Sequence, residues 1–284
     1  MTPIHARGVR KHFPGNERPA LDGVDLTVAT GRVCALLGGN GAGKTTMIRI
    51  MTTLTRADAG TVHIAGHDVR TEATRVRAAI GLVGQYAALD EVLSARENLE
   101  LFARLSGLGR RRARERAEEL LGTAGLTETG RRPVGAFSGG MRRRLDLATS
   151  LITTPGVLFI DEPTTGLDPQ ARRDLWASVK SLARSGTTVL LTTQYLDEAD
   201  ALADDVVILR EGRVIAQGTP QDLKKLVGEP RMELREPTLE DVYLHLHTEN
   251  PHTESPHAGT PHTDNPHAGT PHAEDPHTEG DRVV

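Results

Sequence analysis

The run Val33-Cys34-Ala35-Leu36-Leu37, continuing into Gly38-Gly39-Asn40-Gly41-Ala42-Gly43-Lys44-Thr45-Thr46, constrains this chain more than any other stretch. Consecutive apolar residues predict a buried strand. A glycine, four residues, then Gly-Lys-Thr is the P-loop pattern, which requires that strand before it and a helix after it. The helix is expected from about Lys44 to Leu54. The glycines let backbone N–H groups turn inward around phosphate oxygens with no side chain in the way. The helix aims the positive end of its dipole at the same place. Lys44 is then expected to bridge the β- and γ-phosphates of a nucleotide, and Thr45 to ligate Mg²⁺. A plain glycine-rich turn has no reason to carry an amine and a hydroxyl at those two positions.

The surroundings suit such a site. From about Ile4 to about Gln217, short strand-like runs alternate with helical patterns, predicting an α/β core. Strand candidates are Gly31–Leu37, Thr61–Ile64, Ile80–Val83, Val157–Ile160, Thr188–Thr192 and Val206–Leu209. Several are apolar throughout, as parallel strands covered on both faces must be. Val206–Arg210 and Arg213–Gln217, joined by Glu211-Gly212, read as a hairpin. Between Leu89 and Gly130 the strand signal gives way to helices over Glu91–Leu105 and Arg110–Ala124, a helical insertion. The arginines and glutamates of the second read as a solvated face rather than an anion site.

Composition narrows the class. Hydrophobic residues make up 37% and the net charge is −4, so no global charge argues for nucleic acid or an anionic membrane. The single cysteine, Cys34, leaves no internal disulfide and reads as inert packing in a buried strand. The longest apolar runs fall well short of the roughly 20 residues that span a bilayer. The first residues show no charged start before an apolar stretch, so no signal peptide is expected. Any membrane role is expected to be peripheral.

A second acidic site ends the strand Val157-Leu158-Phe159-Ile160, where Asp161 and Glu162 lie at the carboxyl edge at which open α/β sheets bind ligands. Beside a P-loop, Asp161 reads as a Mg²⁺ ligand and Glu162 as the base that polarises an attacking water. Phe137-Ser138-Gly139-Gly140-Met141 opens a helix shortly before, with Ser138 as an N-cap that can also face phosphate.

Taken together, the P-loop, Ser138-Gly139-Gly140, Asp161-Glu162, Gln85 and Gly166-Leu167-Asp168 closely resemble the motif order of ABC ATPases over roughly residues 4 to 220. The resemblance implies a P-loop NTPase fold with an N-terminal antiparallel β region and a helical subdomain at about 86–140, and a head-to-tail dimer of two copies enclosing two ATP molecules. Lys44, Asp161 and Glu162 of one copy would face Ser138, Gly139 and Gly140 of the other. Gln85 would ligate the metal and report to an integral-membrane permease, Asp168 would lie by the nucleotide, and Phe13 matches the position that stacks on adenine. The residues alone equally allow Phe13 a place in the core.

Some positions depart from that pattern. Gly39 stands in place of a common proline, Met141 in place of glutamine, and Gln194 in place of the switch histidine. Glutamine can donate and accept a hydrogen bond but supplies no positive charge. Slowed hydrolysis is expected; a clamp that binds ATP without turnover is the alternative. The runs Ser138–Ala148 and Thr192–Asp200 are similar to the daunorubicin/doxorubicin-resistance branch, which implies drug or antibiotic export at the cytoplasmic face of the membrane. A ribosome- or DNA-acting ABC ATPase is disfavoured, because those usually carry two nucleotide domains or a long coiled coil. The expected boundaries are a nucleotide-binding domain over 4–235, a short family motif over 236–248 around Pro237–Leu244, and a disordered tail over 249–284. That tail repeats Pro-His every five residues from Pro251. Its histidines either bind a transition metal or are simply solvated.

Overall fold

Alternation along the apolar strands decides which layer each residue joins. A computed structural model of the chain describes residues 2–84, 88–228, 238, 239, 243 and 244. Gln85, the Pro-His tail and most of the 236–248 motif lie outside the described residues. In chain order the elements are β1 (Ile4–Lys11), β2 (Leu21–Val28), β3 (Val33–Leu37), α1 (Lys44–Met51), β4 (Ala59–Ile64), β5 (His67–Asp68), α2 (Ala73–Ala79), β6 (Ile80–Val83), α3 (Ala95–Leu105), α4 (Arg110–Thr123), α5 (Gly139–Ser150), β7 (Val157–Asp161), α6 (Pro169–Arg184), β8 (Thr188–Thr193), α7 (Leu196–Leu202), β9 (Asp205–Arg210), β10 (Arg213–Gly218) and α8 (Pro220–Lys225).

The strands form two sheets. One is antiparallel, in the order β2-β1-β4-β5; the other runs β10-β9-β3-β8-β7-β6. In the larger sheet all pairs are parallel except the β9–β10 hairpin at its edge. Every residue of β3, β7 and β8 is buried. Their side chains divide by period two. Val33, Ala35, Leu37, Leu158, Ile160, Val189 and Leu191 pack with Leu99 of α3, Leu145 of α5, Val179 of α6 and Leu202 of α7. Cys34, Leu36, Val157, Phe159 and Leu190 pack the other way, with Met47 and Ile50 of α1 and Ile4, Leu26 and Ile64 of the antiparallel sheet. The large sheet is thus the middle layer. Each fully buried leucine, isoleucine or phenylalanine contributes about 1.5–3 kcal/mol to holding it there.

Helix ends follow local chemistry. The helix expected from Glu91 begins instead at Ala95. Asp90 turns back to accept from the Val92 amide at 2.9 Å, and Ser94 and Glu97 close a capping box. The helix after the P-loop stops at Met51 rather than Leu54, where Thr52 bonds back to the Ile48 carbonyl at 2.8 Å and Thr53 turns left-handed at φ 66°. On α4, Arg111 and Arg114 are exposed and pair with Glu115 and Glu100, as a solvated face should. Arg116 departs from that face to donate to the Leu151 and Ile152 carbonyls just past α5. Among the described residues no helix is long and apolar enough to cross a membrane.

Burial pushes the Cys34 thiol up to about 12, so almost no reactive thiolate is present near neutrality. Cys34 is therefore expected to resist alkylation by iodoacetamide at pH 8 in the native protein and to react fully in denaturant; mass spectrometry of both samples checks this.

Candidate functional site

Parallel register brings three strand ends to one edge. Leu37 of β3 lies beside Thr193 of β8, and Thr192 of β8 beside Asp161 of β7. The residues that follow, Gly38, Gln194 and Glu162, emerge along the carboxyl edge of the sheet.

The P-loop turns there because glycine permits it. Gly43 has φ 108°, and a β-carbon on it would lie 2.4 Å from the Ala20 carbonyl oxygen. The next residue, Lys44, is nearly buried. Its Nζ donates to the Gly38 and Gly39 carbonyls at 2.8 and 3.1 Å and lies 3.4 Å from Glu162 Oε1. The first N–H groups of α1, at Lys44, Thr45 and Thr46, have no intrahelical partner by the geometry of a helix start. They open on a cleft of about 810 Å³ lined also by Phe13, Asn40, Gly41, Ala42, Gly43 and Glu162. Phe13 is 36% exposed at its rim and belongs to neither core, with Lys11 Nζ 5.2 Å from its ring centre.

Two oxygens converge beside that cleft. Thr45 Oγ1 lies 3.4 Å from Asp161 Oδ1, and Thr192 Oγ1 donates to the same carboxylate oxygen at 2.5 Å. Thr192 Oγ1 also accepts from the Glu162 amide at 3.1 Å. Glu162 sits at φ 47°, a left-handed conformation that costs a non-glycine residue about 1–2 kcal/mol. Thr192 offsets that cost by holding both flanking groups. Among the described residues no cluster of three or more His, Cys, Asp or Glu is arranged to hold a metal. A hydroxyl beside one carboxylate is the sparse protein donor set that Mg²⁺ accepts when phosphates and water complete its shell.

Ser138, Gly139, Gly140 and Asp168 are placed apart from this cleft. Ser138 caps α5 through the Met141 amide at 3.3 Å, and it and Gly139 are exposed to solvent. Gly140 has no room for a side chain, since a β-carbon there would lie 2.7 Å from Ala171 Cβ on α6. Asp168 caps α6, accepting from the Ala171 amide at 2.8 Å. Ser138, Gly139 and Gly140 do not line the cleft that holds Lys44. Within one copy the structure brings together the P-loop, Asp161 and Glu162, with Gln194 partly buried just past β8 on the same edge.

Thr192 and Arg143 bond to Asp161 and Glu162, and the sequence reading did not single them out. Thr192 is signalled only by register, as the end of the strand beside β7. Arg143 and Asp146, three apart on the buried side of α5, form an ion pair at 3.3 Å. Burial pushes the Asp146 carboxyl up to about 6 and lowers the Arg143 guanidinium, against the attraction between them. A charged pair beside Leu145 and Leu147 is the signal that was available.

Thr192→Val keeps the shape of β8 but removes the hydroxyl, leaving the Glu162 amide only the carbonyl of residue 192 at 3.2 Å and Asp161 Oδ1 only Thr45 Oγ1 at 3.4 Å. It is expected to cost about 1–3 kcal/mol, checked by urea unfolding at pH 7.

Known proteins are similar to this chain in sequence and in fold. The profile of the ABC transporter family matches residues 21–165. The chain is 58% identical over 233 residues to a daunorubicin resistance ATP-binding protein of Streptomyces coeruleorubidus, covering 82% of this chain and 73% of that protein. It is 51% identical over 232 residues to the daunorubicin/doxorubicin resistance ATP-binding protein of Streptomyces peucetius, covering 82% and 70%. Among solved structures, an ATP-binding subunit of an ABC transporter is similar with a TM-score of 0.70 at 29% identity, over 86% of this chain and 99% of the other. A dimeric ATP-binding cassette in a post-hydrolysis state with ADP and Pi is similar with a TM-score of 0.69 at 27% identity, over 76% and 98%. With a nucleotide cleft of this form and that identity over most of its length, the chain belongs to the ABC transporter family of ATP-binding ATPase subunits, in the branch of the daunorubicin/doxorubicin resistance proteins.

Proposed function

We propose that this chain is the ATP-hydrolysing subunit of an exporter, in which two copies close head to tail on two Mg-ATP molecules at the cytoplasmic face of the membrane. The closing motion drives a drug or antibiotic through a separate membrane-spanning permease. The observation that carries this reading is the separation within one copy: Lys44 and Glu162 line one cleft and Asp161 sits against its Thr45, while the α5 start at Ser138 to Gly140, with Ser138 and Gly139 exposed, lies outside it. A second copy turned end for end supplies what each cleft lacks. The same reading divides the chain into a nucleotide-binding domain over 4–235 with its helical part at about 86–140, a short motif over 236–248, and a tail from 249.

The residues then have distinct tasks. Lys44 exchanges its bonds to Gly38, Gly39 and Glu162 for phosphate oxygens, and the amides of Gly41 to Thr46 surround those oxygens. Phe13 stacks on the adenine. Thr45 and Asp161, with Gln85, hold Mg²⁺, which when bound neutralises charge on the phosphates. Freed from Lys44, Glu162 accepts a proton from the attacking water, while Gln194 borders the γ-phosphate and Asp168 of the second copy lies by it. Gln194 orients without adding charge, so the transition state is less stabilised than a histidinium would allow.

In steady-state assays with Mg-ATP, the wild type is expected to release phosphate, and Glu162→Gln to lose at least about 100-fold in kcat while forming a dimer in ATP on a sizing column. Gln194→His is expected to raise kcat about tenfold, equal to about 1.4 kcal/mol of barrier. Wild type that dimerises in ATP with no phosphate release would replace the ATPase with a clamp.

A further inference from the structure

We infer that Arg143 is a positioning residue, tying helix α5 to the backbone that carries Glu162 and to the residue preceding Gln85. The inference rests on the roles proposed above for Glu162 and Ser138, but its geometry stands on its own. The guanidinium lies almost wholly inside the protein, and nearly every donor of its fork is used. Nε donates to the Pro163 carbonyl at 2.9 Å. Nη2 donates to the Asp161 and Glu162 carbonyls at 3.1 and 3.4 Å. Nη1 donates to the Gly84 carbonyl at 2.6 Å and to Asp146 Oδ2 at 3.3 Å.

Consecutive carbonyls in an extended strand point to opposite sides, so one side chain cannot ordinarily reach three in a row. The left-handed φ of Glu162 breaks that alternation and turns the carbonyls of residues 161, 162 and 163 toward α5. Arg143 therefore reads the same strained conformation that Thr192 holds from the other side. Lysine, with a single nitrogen, cannot span this set, whereas the planar fork of arginine can. Burying a cation is expensive, and an apolar side chain of the same length would fill the space at lower cost. Asp146, Glu198 on α7 and Asp161 supply the opposing charge, Glu198 being held by the Trp176 indole at 3.1 Å.

The consequence is a mechanical link. Arg143 stands five residues beyond Ser138, about 7.5 Å along one rigid helix. The start of that helix faces the partner's nucleotide, and its Arg143 grips this copy's own catalytic backbone and the root of the Gln85 segment. A displacement of α5 on one side of the dimer is thereby carried to Glu162 on the other, which couples the two ATP sites.

The test uses the full chain with Arg143→Lys and with the paired change Arg143→Met, Asp146→Leu, which removes both members of that ion pair. Both are expected to lower kcat by about 100-fold with KM for ATP within about threefold of wild type. Amide hydrogen exchange is expected to quicken about tenfold in 80–84 and 159–165 and to stay unchanged in β3 and α1. A folded paired variant with kcat near wild type and unaltered exchange overturns the inference, as does exchange that quickens equally in β3 and α1. If the wild type releases no phosphate, the proposed hydrolytic function fails, and the exchange pattern alone decides for or against Arg143.

Discussion

The hydrogen-bonded register of β3, β8 and β7 is the constraint on which the site depends, because it makes three strands end together. That register cannot slip by one residue without exchanging Cys34 and Leu36 for Val33, Ala35 and Leu37 between two differently shaped cores. The apolar packing on both faces of the sheet therefore also sets, at some distance, where Lys44, Asp161 and Gln194 stand. Stability and function share one cause here: burial locks the ladder, and the ladder aligns the chemistry.

At the aligned edge the protein keeps its reactive groups occupied. Lys44 satisfies the loop carbonyls and faces Glu162, while Asp161 accepts from Thr192 and lies near Thr45. Each of these groups has a partner within the protein. The nearly buried Lys44 cation is thereby compensated from within the protein. The strained backbone of Glu162 is held from two sides, by Thr192 on β8 and by Arg143 on α5. A conformation held this way is available to chemistry and responsive to the helix that helps to hold it.

Much of this was readable in the residues. The strand before the P-loop, its glycines, the acidic end of β7 and the capping serine of α5 each carry their meaning locally, through apolar runs, φ > 0 and hydrogen-bonding end groups. The terminal hairpin and the insertion of α3 and α4 were legible for the same reason. The start of α3 was not, because Asp90 and Ser94 compete with the helix for the same amides, and periodicity does not register that competition. Phe13 stood open between core and cleft in the sequence, and the path of β1 and the turn after it put the ring at the cleft's rim.

The amino-acid sequence by itself determined the phosphate-binding loop, the acidic pair, the α/β class and the family, since each is written in neighbouring residues whose chemistry is intrinsic. Only the tertiary structure decided that Thr192 holds Asp161 and Glu162, that Arg143 gathers four backbone carbonyls, and that Ser138 lies away from its own copy's cleft. Those facts depend on where backbone groups from distant segments arrive. Every residue carries the same carbonyl and amide, so nothing in a side chain's identity announces which of them it will meet.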